Sequence, residues 1–146
     1  MGQKVQPTGF RLGVTEQWRS RWYADKKNYA KTLGSDLEIR TFLERRLASA
    51  ALSRVEIDRA GDKLRITIYT ARPGIVIGKK GAEIDVLRSQ LEKLTGVEKG
   101  HVNVDVIEVK RPEIDAQLVA RSIAEQLEGR VAFRRAMRKA VQSARK

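Results

Sequence analysis

The sequence contains no cysteine, a single histidine and only three prolines. Without thiols the chain can form neither disulfides nor thiolate metal sites, and one histidine, His101, cannot supply a multi-histidine cluster. No run approaches the roughly 18 apolar residues of a membrane-spanning helix, and the first residues lack the features of a secretory signal, which predicts an intracellular protein. These absences predict that the protein is not an enzyme, uses no cofactor or metal, and binds neither a membrane nor a small-molecule substrate.

Basic residues greatly outnumber acidic residues. Thirty Lys and Arg against 18 Asp and Glu leave a formal net charge of +12 and a pI near 10.4. Most of the excess lies at the two ends: residues 35–112 are nearly balanced, whereas residues 129–146 carry seven basic side chains and no acid. This distribution predicts a nearly neutral folded core with basic extensions, and nucleic acid is the polyanionic partner that such extensions favour.

The N-terminal segment combines scattered glycine and proline with aromatic residues. The glycines and the proline predict that residues 1–16 form an extended arm rather than a helix, and that the arm becomes ordered on a partner. Trp18, Trp22 and Tyr23 follow among basic residues, so stacking on nucleic-acid bases is one use for the tryptophan rings. Packing into the core is the alternative, because buried tryptophan usually serves the core.

A first helix is predicted to begin at Ser35, because Ser35 and Glu38 form a capping-box pattern. The residues opposite its apolar stripe, Arg40, Glu44 and Arg45, are predicted to be solvated and without function. Helical spacing continues to about residue 51. The apolar stripe consists of Ile39, Phe42, Leu43 and Leu47.

Alternating apolar and polar residues predict three strands. Residues 55–57 and 64–68 flank a turn at residues 60–62, which indicates a β-hairpin. Residues 102–106 alternate in the same way and form the third strand. His101 lies at the start of that strand and is predicted to be a surface or strand-edge residue rather than a ligand.

Two further helices are predicted between the second and third strands. Pro73 begins a short helix that Gly78 ends, and a longer helix runs from Gly81 to a stop at Gly96. The apolar stripe of the longer helix consists of Ile84, Leu87, Leu91 and Leu94.

The C-terminal segment has the pattern of basic amphipathic helices. Pro112, followed by two acids, marks another helix start. Apolar residues recur at helical spacing from Val119 to Leu127 and resume after Gly129. The resumed apolar stripe consists of Phe133, Met137 and Val141, with arginines on the neighbouring lines of the helix.

The sequence Gly78-Lys79-Lys80-Gly81 has the composition of a phosphate-binding loop. Glycine lets the backbone approach a ligand closely, and the following helix offers unpaired N–H groups that suit a phosphate. Alone the signal is weak, because a tight turn between helices has the same form. A P-loop is excluded, since no Ser or Thr follows the lysines. A lysine-dependent lyase or nuclease would need an apolar pocket around one lysine, and the sequence indicates none.

The context of this loop makes the signal specific. The order of helix, two strands, short helix, loop, helix and strand resembles the type II KH domain, an α+β fold with a three-stranded mixed sheet packed on helices. The resemblance implies that the loop clamps the backbone of about four nucleotides, with bases in an adjacent apolar groove. The residues implied for the loop and groove are Arg72, Ile75, Ile77, Gly78, Lys79, Lys80 and Gly81.

Four stretches extend the resemblance beyond the KH region: MGQKV at 1–5, FRLG at 10–13, TARPGIVIGKKG at 70–81 and FRRAM at 133–137. On these the chain resembles the bacterial-type small-subunit ribosomal protein S3 family. The resemblance implies a structural role in the small-subunit head, with rRNA, mRNA and neighbouring ribosomal proteins as partners. It places Arg134, Arg135 and Arg138 at the channel through which mRNA enters. The remaining rRNA contacts are predicted at Lys4, Arg11, Arg19 and Arg21.

The predicted organisation has three parts. Residues 1–34 form a basic arm with an aromatic segment, residues 35–110 the KH domain, and residues 111–146 the basic helical start of a C-terminal domain that the family normally continues. The implied location is the cytoplasmic ribosome, with an organellar ribosome as an alternative. A free-standing KH module or RNA chaperone is the alternative function, and the arm argues against it because an isolated module has no evident use for one.

Overall fold

A computed structural model describes residues 2–145, and the side chain of Lys80 also lies outside the described residues. Short 3₁₀ turns at Ala48–Ala50, Lys79–Gly81 and Pro112–Ile114 connect some of the helices and strands. The order of elements is α1 (Pro7–Arg11), β1 (Ser20–Arg21), α2 (Lys26–Arg46), β2 (Leu52–Ala60), β3 (Lys63–Thr70), α3 (Pro73–Ile77), α4 (Ala82–Thr95), β4 (Val102–Glu108), α5 (Ala116–Glu128) and α6 (Phe133–Ala144).

The strands form one mixed sheet in the order β1-β2-β3-β4. β2 and β3 are antiparallel and pair Ala60 with Lys63 across the predicted turn, whereas β4 runs parallel to β3. This arrangement confirms the predicted α+β KH architecture. The sheet has four strands rather than three, because Ser20 and Arg21 pair in parallel with β2. A two-residue strand is too short to show an alternating pattern in the sequence.

The core lies between one face of the sheet and the helices α2, α3 and α4. Ile39 and Leu43 of α2 and Leu91 of α4 are fully buried against apolar residues of β2, β3 and β4. The apolar stripes predicted for these helices are therefore confirmed in most positions. Leu94 is an exception: it lies in the last turn of α4 and is 41% exposed, so the stripe extends farther than the core.

Helix α2 begins at Lys26, nine residues before the predicted start at Ser35. The capping-box prediction was wrong because tertiary hydrogen bonds use these polar groups instead. Ser35 accepts a hydrogen bond from Arg59 at 3.1 Å, and the buried carboxylate of Asp36 accepts from Arg59 at 2.7 Å. These contacts hold the middle of α2 against β2, and the helix continues through Gly34 although an internal glycine costs about 1 kcal/mol.

The N-terminal arm contains one helical turn, contrary to the prediction of an extended arm throughout. Pro7 occupies the first position of α1, and the Gln6 side chain accepts a hydrogen bond from the Gly9 amide. Proline is favoured at that position because its missing N–H would have no partner there. Every residue of α1 is exposed, so the turn forms locally and without support from the core.

The C-terminal helices attach to the KH region through Asp115. Its carboxylate caps α5 by accepting from the Leu118 amide at 3.0 Å, and it also accepts from the Ser53 hydroxyl of β2 at 2.7 Å. α6 buries Ala136 completely, whereas the apolar stripe predicted on this helix is at least half exposed. The exposed stripe comprises Phe133, Met137 and Val141. No helix among residues 2–145 has the length and apolar character needed to cross a membrane.

Candidate nucleic-acid interface

The predicted phosphate loop lies between α3 and α4. α3 ends at Ile77, and the Gly78 amide donates to the carbonyl of Gly74 at 2.9 Å. Residues 79–81 then make a single 3₁₀ turn before α4 begins. The chain therefore reverses within four residues, and the loop stands at the N-terminal end of a 14-residue helix.

The backbone at both loop glycines is one that other residues rarely adopt. Gly78 has φ 71° and ψ −174°, a combination that is essentially restricted to glycine. Gly81 has φ 84° and ψ 3°, in the left-handed region. A side chain at Gly78 would also collide with Glu83, because a Cβ built there lies 2.5 Å from its Cγ and 2.7 Å from its Cβ. The first glycine of the G-x-x-G sequence is thus required by conformation and by space.

The electrostatics of the loop depend mainly on its own lysines. Lys79 is exposed, whereas the predicted contribution of the Lys80 side chain lies outside the described residues. The first turn of α4 already contains two acids, Glu83 and Asp85, which complement the positive end of the helix. Glu83 also forms an exposed ion pair with Arg46 at 3.4 Å. Among the described groups of the loop, the exposed Lys79 and the backbone N–H groups are therefore the ones with the charge or polarity that a phosphate requires.

The predicted apolar groove residues flank this loop on α3. Val76 is buried and anchors the short helix in the core, while Ile75 and Ile77 are 46% and 41% exposed. Arg72 precedes α3; its amide donates to the Thr70 hydroxyl at 3.1 Å, and its guanidinium donates to the Ser49 carbonyl at 3.4 Å. Arg72 thus lies at the start of α3, the two exposed isoleucines lie on α3, and the loop follows at its end.

The three arginines predicted for the mRNA channel, here called the α6 arginines, are Arg134, Arg135 and Arg138. All three are exposed, and they line a cleft of about 460 Å³ together with Lys139 and Gln142. The Arg134 guanidinium lies 5.7 Å from the ring centre of Phe133. No acid lines this cleft within the described part of the chain, so the arginines form a concentrated positive surface.

The four arm residues predicted to contact rRNA have different surroundings. Lys4, Arg11 and Arg19 are exposed. Arg21, by contrast, donates to Asp58 at 2.7 Å and to Glu56 at 3.1 Å. The hydrogen bond that Arg21 donates to Asp58 raises the pKa of Arg21 above its usual value. Arg21 therefore joins β1 to the sheet, and RNA would have to compete with two carboxylates for its guanidinium.

Arg40 was predicted to be solvated and without function, and this prediction was wrong. Its guanidinium donates to the carbonyls of Val55 at 2.6 Å and Arg19 at 2.7 Å, and to the Ser20 hydroxyl at 2.8 Å. Burial lowers the pKa of Arg40 from its usual value, although the group stays charged at neutral pH. Arg40 holds the basic segment before β1 against β2. The one sequence signal was its position at the border of the apolar stripe, directly after Ile39.

The aromatic residues and the histidine divide between packing and exposure. The Trp22 indole donates to Asp36 at 2.7 Å, and its ring centre lies 5.4 Å from that of Tyr29. Trp18 is 57% exposed and Tyr23 is 91% exposed. His101 is half-buried at the start of β4, and its carbonyl accepts from the Leu64 amide at 2.9 Å. Trp22 therefore packs within the protein, which was the predicted alternative to base stacking. Trp18 remains accessible.

The sequence is similar to that of known proteins, both in the KH region and in the segments on either side of it. The KH domain family model matches residues 38–114. The chain is 56% identical over 146 residues to small ribosomal subunit protein uS3 of Pelobacter propionicus, which covers all of this chain and 68% of that protein. It is 57% identical over 146 residues to uS3 of Sulfurihydrogenibium sp., again covering all of this chain and 63% of the relative. It is also 60% identical over 144 residues to uS3 of Solibacter usitatus, covering 99% of this chain and 41% of the relative.

These relatives are longer than the chain, which spans between about two fifths and two thirds of their lengths. The similarity nevertheless runs through the arm, the KH region and the C-terminal helices, because it covers 99–100% of this chain. The order of elements and the G-x-x-G loop agree with it. The chain belongs to the uS3 family of small ribosomal subunit proteins and contains a KH domain.

Proposed function

We propose that this chain is a structural, non-enzymatic component of the small ribosomal subunit that binds rRNA through its KH domain. The observation that carries the proposal is the backbone of Gly78, held in a conformation essentially restricted to glycine beside exposed Lys79. Such a loop lets an RNA backbone approach closely while its N–H groups and lysines meet the phosphates. Ile75 and Ile77 supply apolar surface for the adjacent bases.

The arm and the C-terminal helices extend this role. We assign Lys4, Arg11, Arg19 and Arg21 to further rRNA contacts, and the α6 arginines to the channel through which mRNA enters. Guanidinium groups bind phosphate in a bidentate manner, so a row of three exposed arginines suits a passing RNA strand. Membership of the uS3 family supports a location in the cytoplasmic ribosome beside other small-subunit proteins.

A free-standing KH module is the alternative function. The KH domain model covers residues 38–114, whereas the similarity to uS3 proteins covers 99–100% of the chain. This extension into the arm and the C-terminal helices favours the ribosomal role. Sucrose-gradient sedimentation tests it: we expect the tagged protein to co-sediment with small subunits, and its absence from fractions containing other small-subunit proteins would favour the free-standing module.

The loop itself is tested by replacing both lysines with aspartate, Lys79→Asp with Lys80→Asp. We expect at least a tenfold loss of affinity for single-stranded RNA, because reversing two charges at a phosphate contact replaces attraction with repulsion. The exposed control pair Lys63→Asp with Lys99→Asp gives the same change in net charge at the first residue of β3 and in the turn before β4. Fluorescence anisotropy measures affinity, and circular dichroism checks the fold.

Equal losses in the two double variants would mean that net charge alone decides binding. That result would contradict a specific phosphate contact at the Gly78–Gly81 loop. Loss in the loop variant alone is the expected outcome.

A further inference from the structure

The segment between β1 and α2 exposes an aromatic ring beside several lysines. Tyr23 is 91% exposed, the highest value among the large hydrophobic and aromatic residues of the described chain. Large aromatic side chains normally bury most of their surface. An almost fully exposed ring next to positive charge therefore indicates a surface that binds a partner.

The exposure of Tyr23 follows from the way its neighbours are held. Residues 20–25 alternate between partly buried and exposed side chains, as an extended chain requires. Trp22 is fixed inward by its hydrogen bond to Asp36 and its contact with Tyr29. Because successive side chains of an extended segment point in opposite directions, anchoring Trp22 turns Tyr23 outward. The ring is thus held in place beside the core rather than carried on a free tail.

The lysines that follow Tyr23 in the sequence are placed to bind an anion. Lys26 and Lys27 occupy the first turn of α2, which contains no acid, and the Asp25 side chain makes no capping hydrogen bond. Cations at that end oppose the helix dipole and do not help the helix itself. Lys31 lies one turn after Lys27 on the same side of α2. The lysines therefore favour a negatively charged ligand along this side of the helix.

A cleft joins the ring to one of these lysines, Lys31. It has a volume of about 510 Å³, and its lining includes Tyr23, Asn28, Lys31 and Thr32, the acid Asp25, and Thr95 at the end of α4. This volume is in the range of small-ligand sites. Arg59 also lines the cleft, but its guanidinium is held by Asp36. An aromatic ring, polar side chains and lysines are the groups that hold one nucleotide of a single strand.

This cleft is separate from the KH loop. The loop precedes the first residue of α4, whereas Thr95, the last residue of α4, lines the cleft. Fourteen helical residues rise about 21 Å. A strand bound at the loop would have to continue across the molecule to reach Tyr23.

We propose that Tyr23 and the lysines at 26, 27 and 31 form a second RNA site, which stacks one unpaired base on the Tyr23 ring and pairs the adjoining phosphates with the lysines. The site shares with the proposed function the premise that the partner is RNA. It uses a different surface, so the two can fail independently.

Affinity for a fluorescein-labelled oligouridylate of about 12 nucleotides tests the site. Tyr23→Ala is expected to weaken binding by about five- to hundredfold, the range measured for loss of one stacked base. Tyr23→Phe keeps the ring and is expected to stay within about twofold of the unaltered chain. Lys27→Gln with Lys31→Gln should flatten the salt dependence, whereas Lys93→Gln with Lys99→Gln, an exposed control pair that removes the same two charges, should flatten it less.

A crosslinking experiment locates the base directly. The oligouridylate is made with 4-thiouridine and irradiated with the full chain, and the tryptic peptide of residues 22–26 is expected to carry a nucleotide that Tyr23→Ala removes. Unchanged affinity in Tyr23→Ala, together with an unmodified peptide, would overturn the second site. If the Lys79→Asp, Lys80→Asp variant loses affinity in the same assay, the KH-loop proposal stands although the second site fails.

Discussion

The geometry of the Gly78–Gly81 loop makes a graded prediction for three alanine substitutions. Gly78→Ala would force alanine into a backbone conformation essentially restricted to glycine, which costs about 1–3 kcal/mol. It would also place the new Cβ 2.5 Å from Glu83 Cγ. Gly81→Ala has the left-handed backbone cost of about 1–2 kcal/mol but only one neighbouring atom, at 4.0 Å. Gly74→Ala meets no atom within 4 Å, and alanine in a helix is favoured over glycine by up to about 1 kcal/mol.

We therefore expect the free energy of unfolding to fall by at least about 2 kcal/mol for Gly78→Ala. Gly81→Ala should lower it by about 1–2 kcal/mol, and Gly74→Ala should leave it unchanged or raise it. Urea unfolding followed by circular dichroism measures all three, provided that the m values agree. RNA affinity of the folded Gly78→Ala variant should also fall, because a relaxed loop no longer presents its N–H groups together.

A Gly78→Ala variant as stable as Gly81→Ala would contradict this order of stabilities. Steric conflict with Glu83 would then contribute nothing, and the shape of the loop would not depend on its first glycine. Retention of full RNA affinity by Gly78→Ala would separately refute the link between this conformation and binding.

Three further predictions follow from the arginines. Arg40→Ala should lower the free energy of unfolding by about 1–3 kcal/mol, because three hydrogen bonds to β2, to β1 and to the residue before β1 lose their donor. Hydrogen exchange should show β1 opening first in this variant. Unchanged protection of β1 would contradict the role of Arg40. Arg59→Ala should lower the free energy of unfolding by about 3 kcal/mol in urea, since the buried Asp36 carboxylate loses its ion pair and keeps only the hydrogen bond from Trp22. A loss below about 1 kcal/mol would mean that water replaces the arginine. Replacing the α6 arginines with alanine should flatten the salt dependence of RNA binding by up to about one contact each; an unchanged slope would mean that they touch no phosphate.

Local patterns predicted the parts of the fold whose residues act locally. The hairpin, the short helix starting at Pro73 and the stop at Gly96 depend on neighbouring residues, and all three were confirmed. The G-x-x-G loop was found in the same way, because its glycines serve the backbone at their own positions. Its contact with Glu83 required the structure, although Glu83 is only five residues away.

The polar residues that act over long sequence separations could not be predicted. Asp36 was read as part of a helix start, yet it accepts hydrogen bonds from Trp22 and from Arg59, 23 residues away. Arg40 was assigned to solvent because helical periodicity distinguishes a face of the helix but not what approaches that face. An arginine at the border of an apolar stripe has the same pattern whether water or a strand carbonyl lies beside it.

This ambiguity changes how the net charge of +12 relates to RNA binding. Arg21, Arg40 and Arg59 hold the basic segment and α2 onto the sheet, so their charges are largely used within the fold. The lysines of the first α2 turn and the α6 arginines have no such use in the described contacts. Besides the exposed arm residues Lys4, Arg11 and Arg19, the charge that we assign to RNA binding therefore lies in the Gly78–Gly81 loop, on α6 and around Tyr23. The surface around Tyr23 is the one that sequence patterns alone did not distinguish from the core.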